Sequence, residues 1–422
     1  MSIPCDRHTL DNGLRIVLSP DPGAPIVAVN IWYDVGSGHE RPGRTGLAHL
    51  FEHLMFQGSL NVPKNGYFEH MERVGGSSNA TTWFDRTNYY SVTPPERLEL
   101  ALWLEADRMG WMLPTLDRDR LENQRQVVLA EKREHYDNRP YGDWVERILP
   151  MVFPEGHPYS HPVIGLTEDI EAASLADVHD FFGLHYRPSN AVLTVAGHFD
   201  AGYALDAVER YFGEIGDDAV PDPAPGPERP RAGPVIGEEL SCEVEAAVPL
   251  PRVFFAARTP PVADPGFATV EVASALLGTG RAGLLRRRLV RERRVASSAS
   301  AHVIPLRRDA GTLMASATGF ADTAPTELES ALVEELEALS QVETSEVERA
   351  LAMCESGLLR AMESVATRAD ILSMFELYFD DPARVNRELD RVRSVTVEDV
   401  REFARNLLIG SNRALITYRP KP

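Results

Sequence analysis

The stretch GLAHLFEHLMFQG, residues 46–58, sets His49, Glu52 and His53 in an otherwise apolar segment. On a helix, positions i, i+3 and i+4 share one face, so two imidazoles and a carboxylate converge on a single side. The pattern is His-x-x-Glu-His, the inverted form of the common zinc-binding helix motif. Neutral imidazoles suit zinc, and a catalytic zinc takes three protein ligands and keeps a fourth position open. Zinc so held polarises a carbonyl and lowers the pKa of a water, and the carboxylate between the histidines can move that water's proton.

A third ligand is therefore expected on another element. Residues 117–142, DRDRLENQRQVVLAEKREHYDNRPYG, read as a helix that offers Glu131 just after Val127, Val128 and Leu129, with Gln124 on the same face. An acid in so apolar a stretch points to a task. Glu134 is the alternative ligand, and Glu122 reads as a surface charge. Residues 75–85, GGSSNATTWFD, read as a glycine turn followed by an edge strand over 77–83. No serine or cysteine constellation for nucleophilic catalysis competes with this set.

The elements that must position these residues fall into two similar halves. LADVHDFFGLHYRPSNAVLTVAG in the first resembles TVEDVREFARNLLIGSNRALITY in the second: Asp177, Val178, Phe181 and Asn190 fall on Asp399, Val400, Phe403 and Asn412 at a constant offset of 222. The same offset carries Leu54 and Gly58 to Leu276 and Gly280, and turns His49, Glu52 and His53 into Glu271, Ser274 and Ala275. One half has the histidines and its duplicate does not, which favours function over architecture. Strand candidates LRIVLS, IVAVNIWYDVG, TNYYSVT and NAVLTVAG alternate with helices over 96–112, 117–135 and 166–185. The expected fold is α+β: each half a mostly antiparallel sheet covered by helices on one face. The expected domains are 1–216, a Pro/Ala-rich linker over 217–237, and 238–422.

Composition bounds the partners. The net charge is −20, and no arginine or lysine block with interleaved aromatics offers a phosphate-binding face, so no nucleic-acid partner is expected. An acidic balance favours cationic ligands in a cleft and equally describes a solvated surface. Only Lys64, Lys132 and Lys421 are lysines, an arginine bias that fits a GC-rich bacterial genome. Cys5, Cys242 and Cys354 are too few and too dispersed for a disulfide framework or a cysteine zinc site. No apolar run reaches the length of a bilayer span, and the opening residues lack a charged region followed by an apolar one. The expectation is a soluble, cytoplasmic chain with no membrane partner.

GLAHLFEHLMFQGS, NGYFEHMERVGGSSNATTWFDRTNYY and QRQVVLAEKREHYDNRPYG together resemble the pitrilysin, insulysin and mitochondrial processing peptidase superfamily of zinc metallopeptidases, over essentially the whole chain. The resemblance implies one zinc bound by His49, His53 and Glu131, with Glu52 as general base. It also implies substrate pairing as an added strand near Asn79 and Ala80. Gln124 stands where such enzymes often carry a glutamate beside the ligands. In complete members the second half supplies an arginine and a tyrosine to the substrate and the oxyanion. Here the matching text is LVRERRVASSASAHV: Arg291 stands for the arginine, and Ser297 or Ser298 falls where tyrosine is expected. Some relatives pair unlike subunits, one with zinc and one with the Arg/Tyr pair. The expectation is thus the zinc-bearing subunit of a heterodimer, a homodimer being the alternative, that cleaves short or unfolded peptides, leader peptides among them. A non-catalytic structural or assembly subunit is the other class of reading. GTGRAG, 278–283, follows a helix and is no nucleotide fingerprint, and GHPYSHP, with His157 and His161, reads as a rigid turn.

Overall fold

A computed structural model describes residues 2–217 and 229–421, so most of the linker expected at 217–237 lies outside the described residues. The described residues form two compact units. One is drawn from Met1–Glu131, Pro162–Glu228 and Leu359–Arg387, the other from Lys132–His161, Arg229–Leu358 and Glu388–Pro422.

The first unit holds a six-stranded sheet of β1 (Asp6–Thr9), β2 (Arg15–Pro20), β3 (Val27–Tyr33), β4 (Ser77–Thr82), β5 (Thr87–Thr93) and β6 (Ala191–Gly197). The order is β1-β2-β6-β3-β5-β4, with β2 and β6 the one parallel pair. The second unit holds β7 (Glu239–Ala246), β8 (Arg252–Thr259), β9 (Ser298–Ile304), β10 (Gly311–Thr318) and β11 (Arg413–Pro420) in the order β7-β11-β8-β10-β9. Only β7 and β11 run parallel there. Both sheets are mostly antiparallel, as expected of each half.

The repeated residues do the same work in each unit. Ser174 and Asp177 form a capping box before the Leu175–His185 helix, and Thr396 and Asp399 form one before Val397–Leu407. Asn190 Nδ2 donates to His185 O at 2.8 Å, and Asn412 Nδ2 donates to Leu407 O at 2.9 Å, fastening the turn from helix into strand. The same cap explains a departure: the helix expected over 166–185 breaks into Thr167–Ala172 and Leu175–His185, because Ser174 gives its side-chain acceptor to the Asp177 N–H.

The units do not follow the contiguous halves 1–216 and 238–422. Helix Trp144–Val152 from the first half of the sequence packs on β8 and β11, where Trp144 stacks on Phe254 at 4.7 Å and Arg258 Nε donates to Val152 O at 2.6 Å. Helix Val365–Phe379, at the equivalent place in the second half, packs on β3 and β6. There Asp370 Oδ1 accepts from Trp32 Nε1 at 2.9 Å and from Asn30 and Asn88 Nδ2, each at 3.2 Å. Each half of the chain thus sends the same helix to the other's sheet. This covers the second sheet face as well as the expected one, which is why all seven residues of β3 are buried.

Candidate active site

The motif forms helix Leu47–Leu54, which buries Leu47, Ala48, Leu50, Phe51 and Leu54 and leaves His49, Glu52 and His53 on its partly open side. Glu131 comes from the Arg118–Lys132 helix. His53 Nε2 lies 3.4 Å from Glu131 Oε2, and His49 Nε2 lies 3.8 Å from Glu131 Oε1. One ligand atom from each of the three side chains falls within 4.8 Å of the others, and among the described residues no other set of three metal-binding side chains does so. Ligand atoms about 2.0–2.2 Å from a tetrahedral zinc stand about 3.4 Å apart, so these residues fit the ion. Burial, and then the neighbouring His53, push the His49 imidazole down to about 4, so the ring is neutral at ordinary pH with a lone pair free to bind. His49 Nδ1 is buried without a hydrogen-bond partner, so no second polar group orients the ring through that nitrogen.

Glu52 stands beside this set without belonging to it. Its Oε2 accepts from Thr82 Oγ1 at 2.5 Å. Burial raises the Glu52 carboxyl above the usual range, and the Thr82 hydrogen bond opposes that rise. A carboxylate held one residue from a ligand and biased towards taking a proton is suited to general-base work.

A cleft of about 400 Å³ surrounds the four groups, lined also by Phe56, Gln57, Asn65, Phe68, Asn79 and Gln124. Phe56 and Phe68 stack at 4.7 Å as one apolar wall. Behind it lies Arg108, 3% exposed, paired with Glu105 and 5.0, 4.5 and 4.2 Å from the Phe56, Tyr67 and Tyr89 rings. This buried cation lies within cation–π distance of all three rings. Strand β4, with Asn79 and Ala80, is the last strand of its sheet, so one of its backbone edges has no partner strand among the described residues. Trp83 N donates to Arg86 O, and two-residue alternation from that bond turns the backbone groups of Ser78, Ala80 and Thr82 outward. The Ala80 N–H rests meanwhile on Asn79 Oδ1 at 2.9 Å.

The structure therefore brings His49, Glu52, His53, Glu131, Gln124 and Asn79 to one cleft, with Ala80 next along β4. Gln124 lines the cleft, but its Nε2 donates to Asn123 Oδ1 at 3.0 Å and not to a ligand. Glu134 is exposed and belongs to the other unit, and Glu122 is a surface charge paired with Arg125. Arg291 is exposed on the 286–292 segment of the second unit. Ser297 Oγ donates to the carbonyls of Thr318 and Gly319, 3.1 Å from each, and Ser298 opens β9 on its exposed side. His157 is a buried turn residue whose Nδ1 accepts the Tyr159 N–H.

Sequence reasoning missed Thr82, Phe56 and Phe68. Phe56, three residues after His53, was readable from helical spacing. Thr82 carries a signal only once β4 is known to lie against the motif helix, since it then faces the same way as Ala80. Removing its hydroxyl should loosen Glu52: Thr82→Val is expected to lower kcat for peptide hydrolysis about tenfold or more with KM little changed, while Thr82→Ser keeps most of the rate. Steady-state kinetics on the three proteins check this.

Known proteins are similar to this chain. Residues 15–166 match the family model described as insulinase (peptidase family M16), and residues 172–354 match that of the peptidase M16 inactive domain. The zinc protease PqqE of Helicobacter pylori is 30% identical over 81% of this chain and 76% of its own length. Cytochrome b-c1 complex subunit 1 of Bos taurus is 30% identical over 64% of this chain and 54% of its own length. A crystal structure of a protease from Helicobacter pylori superposes with a TM-score of 0.91 at 26% identity, over the full length of both chains. On these matches, with the inverted motif and two similar units in place, the chain belongs to the insulinase family of peptidases, M16.

Proposed function

We propose that this protein is a zinc-dependent endopeptidase acting on short or unfolded peptides. The observation that carries the reading is Glu52 beside, but outside, the closely set His49, His53 and Glu131, in a cleft bordered by a free strand edge. An extended peptide pairs with the outward backbone groups of Ser78, Ala80 and Thr82, displacing Asn79 Oδ1 from the Ala80 N–H. A substrate side chain packs on the Phe56–Phe68 wall. Glu52 takes the proton of the attacking water and returns it to the leaving amine, while Thr82 holds its carboxylate in place.

One relative is a subunit of the cytochrome b-c1 complex, so a structural or assembly role is the second reading. Against it stands the complete set of three ligand side chains with the base beside them. The serines where the resemblance expects a tyrosine support a finer reading: the chain is the zinc-bearing subunit of a heteromer whose partner supplies the arginine and tyrosine, a homodimer being the alternative. Loss of one oxyanion donor costs about a hundredfold or more in rate, which is the motive for a partner. We place the protein in the cytoplasm, where three cysteines without a disulfide remain reduced, and peptide turnover or leader-peptide removal are its tasks. No helix among the described residues is long and apolar enough to cross a membrane.

Peptide digestion tests this. The zinc-loaded chain is expected to cut unstructured peptides slowly when alone and faster with a homologous chain carrying the arginine–tyrosine pair, and a chelator should stop both. Full activity alone, unchanged by such a chain, removes the heteromer reading. No cleavage under either condition removes the peptidase reading.

A further inference from the structure

The helix that carries His49 and His53 is only eight residues long, follows Gly46 in the left-handed conformation (φ 85°), and has no side-chain cap from that residue. Its first N–H groups would be orphans. A carboxylate from six residues upstream takes two of them instead: Glu40 Oε2 accepts from Gly46 N at 2.8 Å, and Glu40 Oε1 accepts from Ala48 N at 2.7 Å. Glu40 is 4% exposed, so water does not offer those groups an alternative. Glycine at 46 is required on the opposite side, where an added Cβ would lie 2.7 Å from Ile164 O. Thr45, just before it, bonds Asp169 Oδ2 through both its N–H and its hydroxyl, at 3.0 and 2.7 Å. The start of the ligand helix is thus held from several directions, and Ala48, whose N–H Glu40 holds, is the residue before His49.

The second half shows that the fold alone does not demand this. Its equivalent helix, Phe267–Gly278, carries no ligands and follows Gly266 in the right-handed conformation. The Gly266 N–H is taken by Asp264 Oδ1 at 2.7 Å, in an exposed local turn two residues away. A buried two-oxygen clamp from a distance accompanies the ligands and is absent from the duplicate that lost them.

We propose that Glu40 is a positioning residue for the zinc site: its buried carboxylate fixes the first turn of the ligand helix, and so the reach of His49 towards His53 and Glu131. This rests on the zinc reading above. Metal affinity depends on ligand atoms held to within about half an ångström, and residues that orient ligands are worth about 10- to 100-fold in affinity.

The test is zinc affinity of the full chain, measured by competition with a chromophoric chelator, together with the visible absorption of the cobalt-substituted protein. Glu40→Gln keeps the shape and one acceptor, and should bind zinc about tenfold more weakly. Glu40→Ala should lose up to about a hundredfold and change the cobalt bands, with circular dichroism showing a folded chain; if it fails to fold, Glu40→Gln carries the test. Asp264→Ala, the equivalent cap in the other half, should stay within about twofold of the native chain. Native affinity and native cobalt bands in both Glu40 variants overturn the proposal, and so does an equal loss in Asp264→Ala, which would mark a general loosening. A native chain that binds no zinc overturns the functional reading itself, an outcome distinct from either.

Discussion

Glu52→Gln is expected to leave the chain folded and loaded with zinc while lowering kcat for peptide hydrolysis by about a thousandfold. Glutamine has the shape of glutamate, and its Oε1 still accepts from Thr82 Oγ1, so the strand and the helix keep their contact. What is lost is the capacity to carry a proton, and general acid–base groups contribute about 10²–10⁴ in rate. Zinc should stay because Glu52 is not among the three side chains whose ligand atoms cluster. Metal content and steady-state kinetics on one preparation check both halves of this expectation. Lost zinc in the variant would make Glu52 a ligand and leave the site without its base.

The second large effect concerns the ligands themselves. His53→Ala or Glu131→Ala should each weaken zinc by roughly a hundred- to several thousand-fold, since about 10–16 kcal/mol of binding is shared among the ligands of a protein zinc site. Peptide cleavage should vanish at ordinary zinc concentrations. Gln124→Ala should cost far less, because the Gln124 amide is directed at Asn123 and not at a ligand. Equilibrium dialysis against buffered zinc separates these cases. A loss in Gln124→Ala equal to that in Glu131→Ala would show that the two helix positions had been ranked wrongly.

Much of this site was legible because its residues are local. His49, Glu52 and His53 converge by helical periodicity alone, and Glu131 stands out as an acid against valine and leucine. The strands LRIVLS and TNYYSVT read correctly because branched and aromatic residues fill them between turn residues. Glu40 did not stand out, because a lone glutamate before a loop looks like any surface acid until the chain folds back on the helix start. Thr82 required knowing which strand lies against the motif helix. The exchange of Trp144–Val152 and Val365–Phe379 was also hidden: an apolar face shows that a helix must be covered, not which sheet covers it. The same offset of 222 carries residues 144–152 onto 366–374, inside Val365–Phe379, so the reciprocal packing of these two helices is the structural form of the repeat.

The account turns on an open zinc position next to Glu52, and X-ray absorption at the zinc edge of the native, zinc-loaded chain tests it most directly. The expected spectrum has two imidazole nitrogens and one carboxylate oxygen from the protein, with a fourth position that a small thiol or hydroxamate inhibitor can occupy. Sulfur in the first shell of the chain without inhibitor, or four protein ligands that no inhibitor displaces, would make the metal structural and contradict the proposed peptidase.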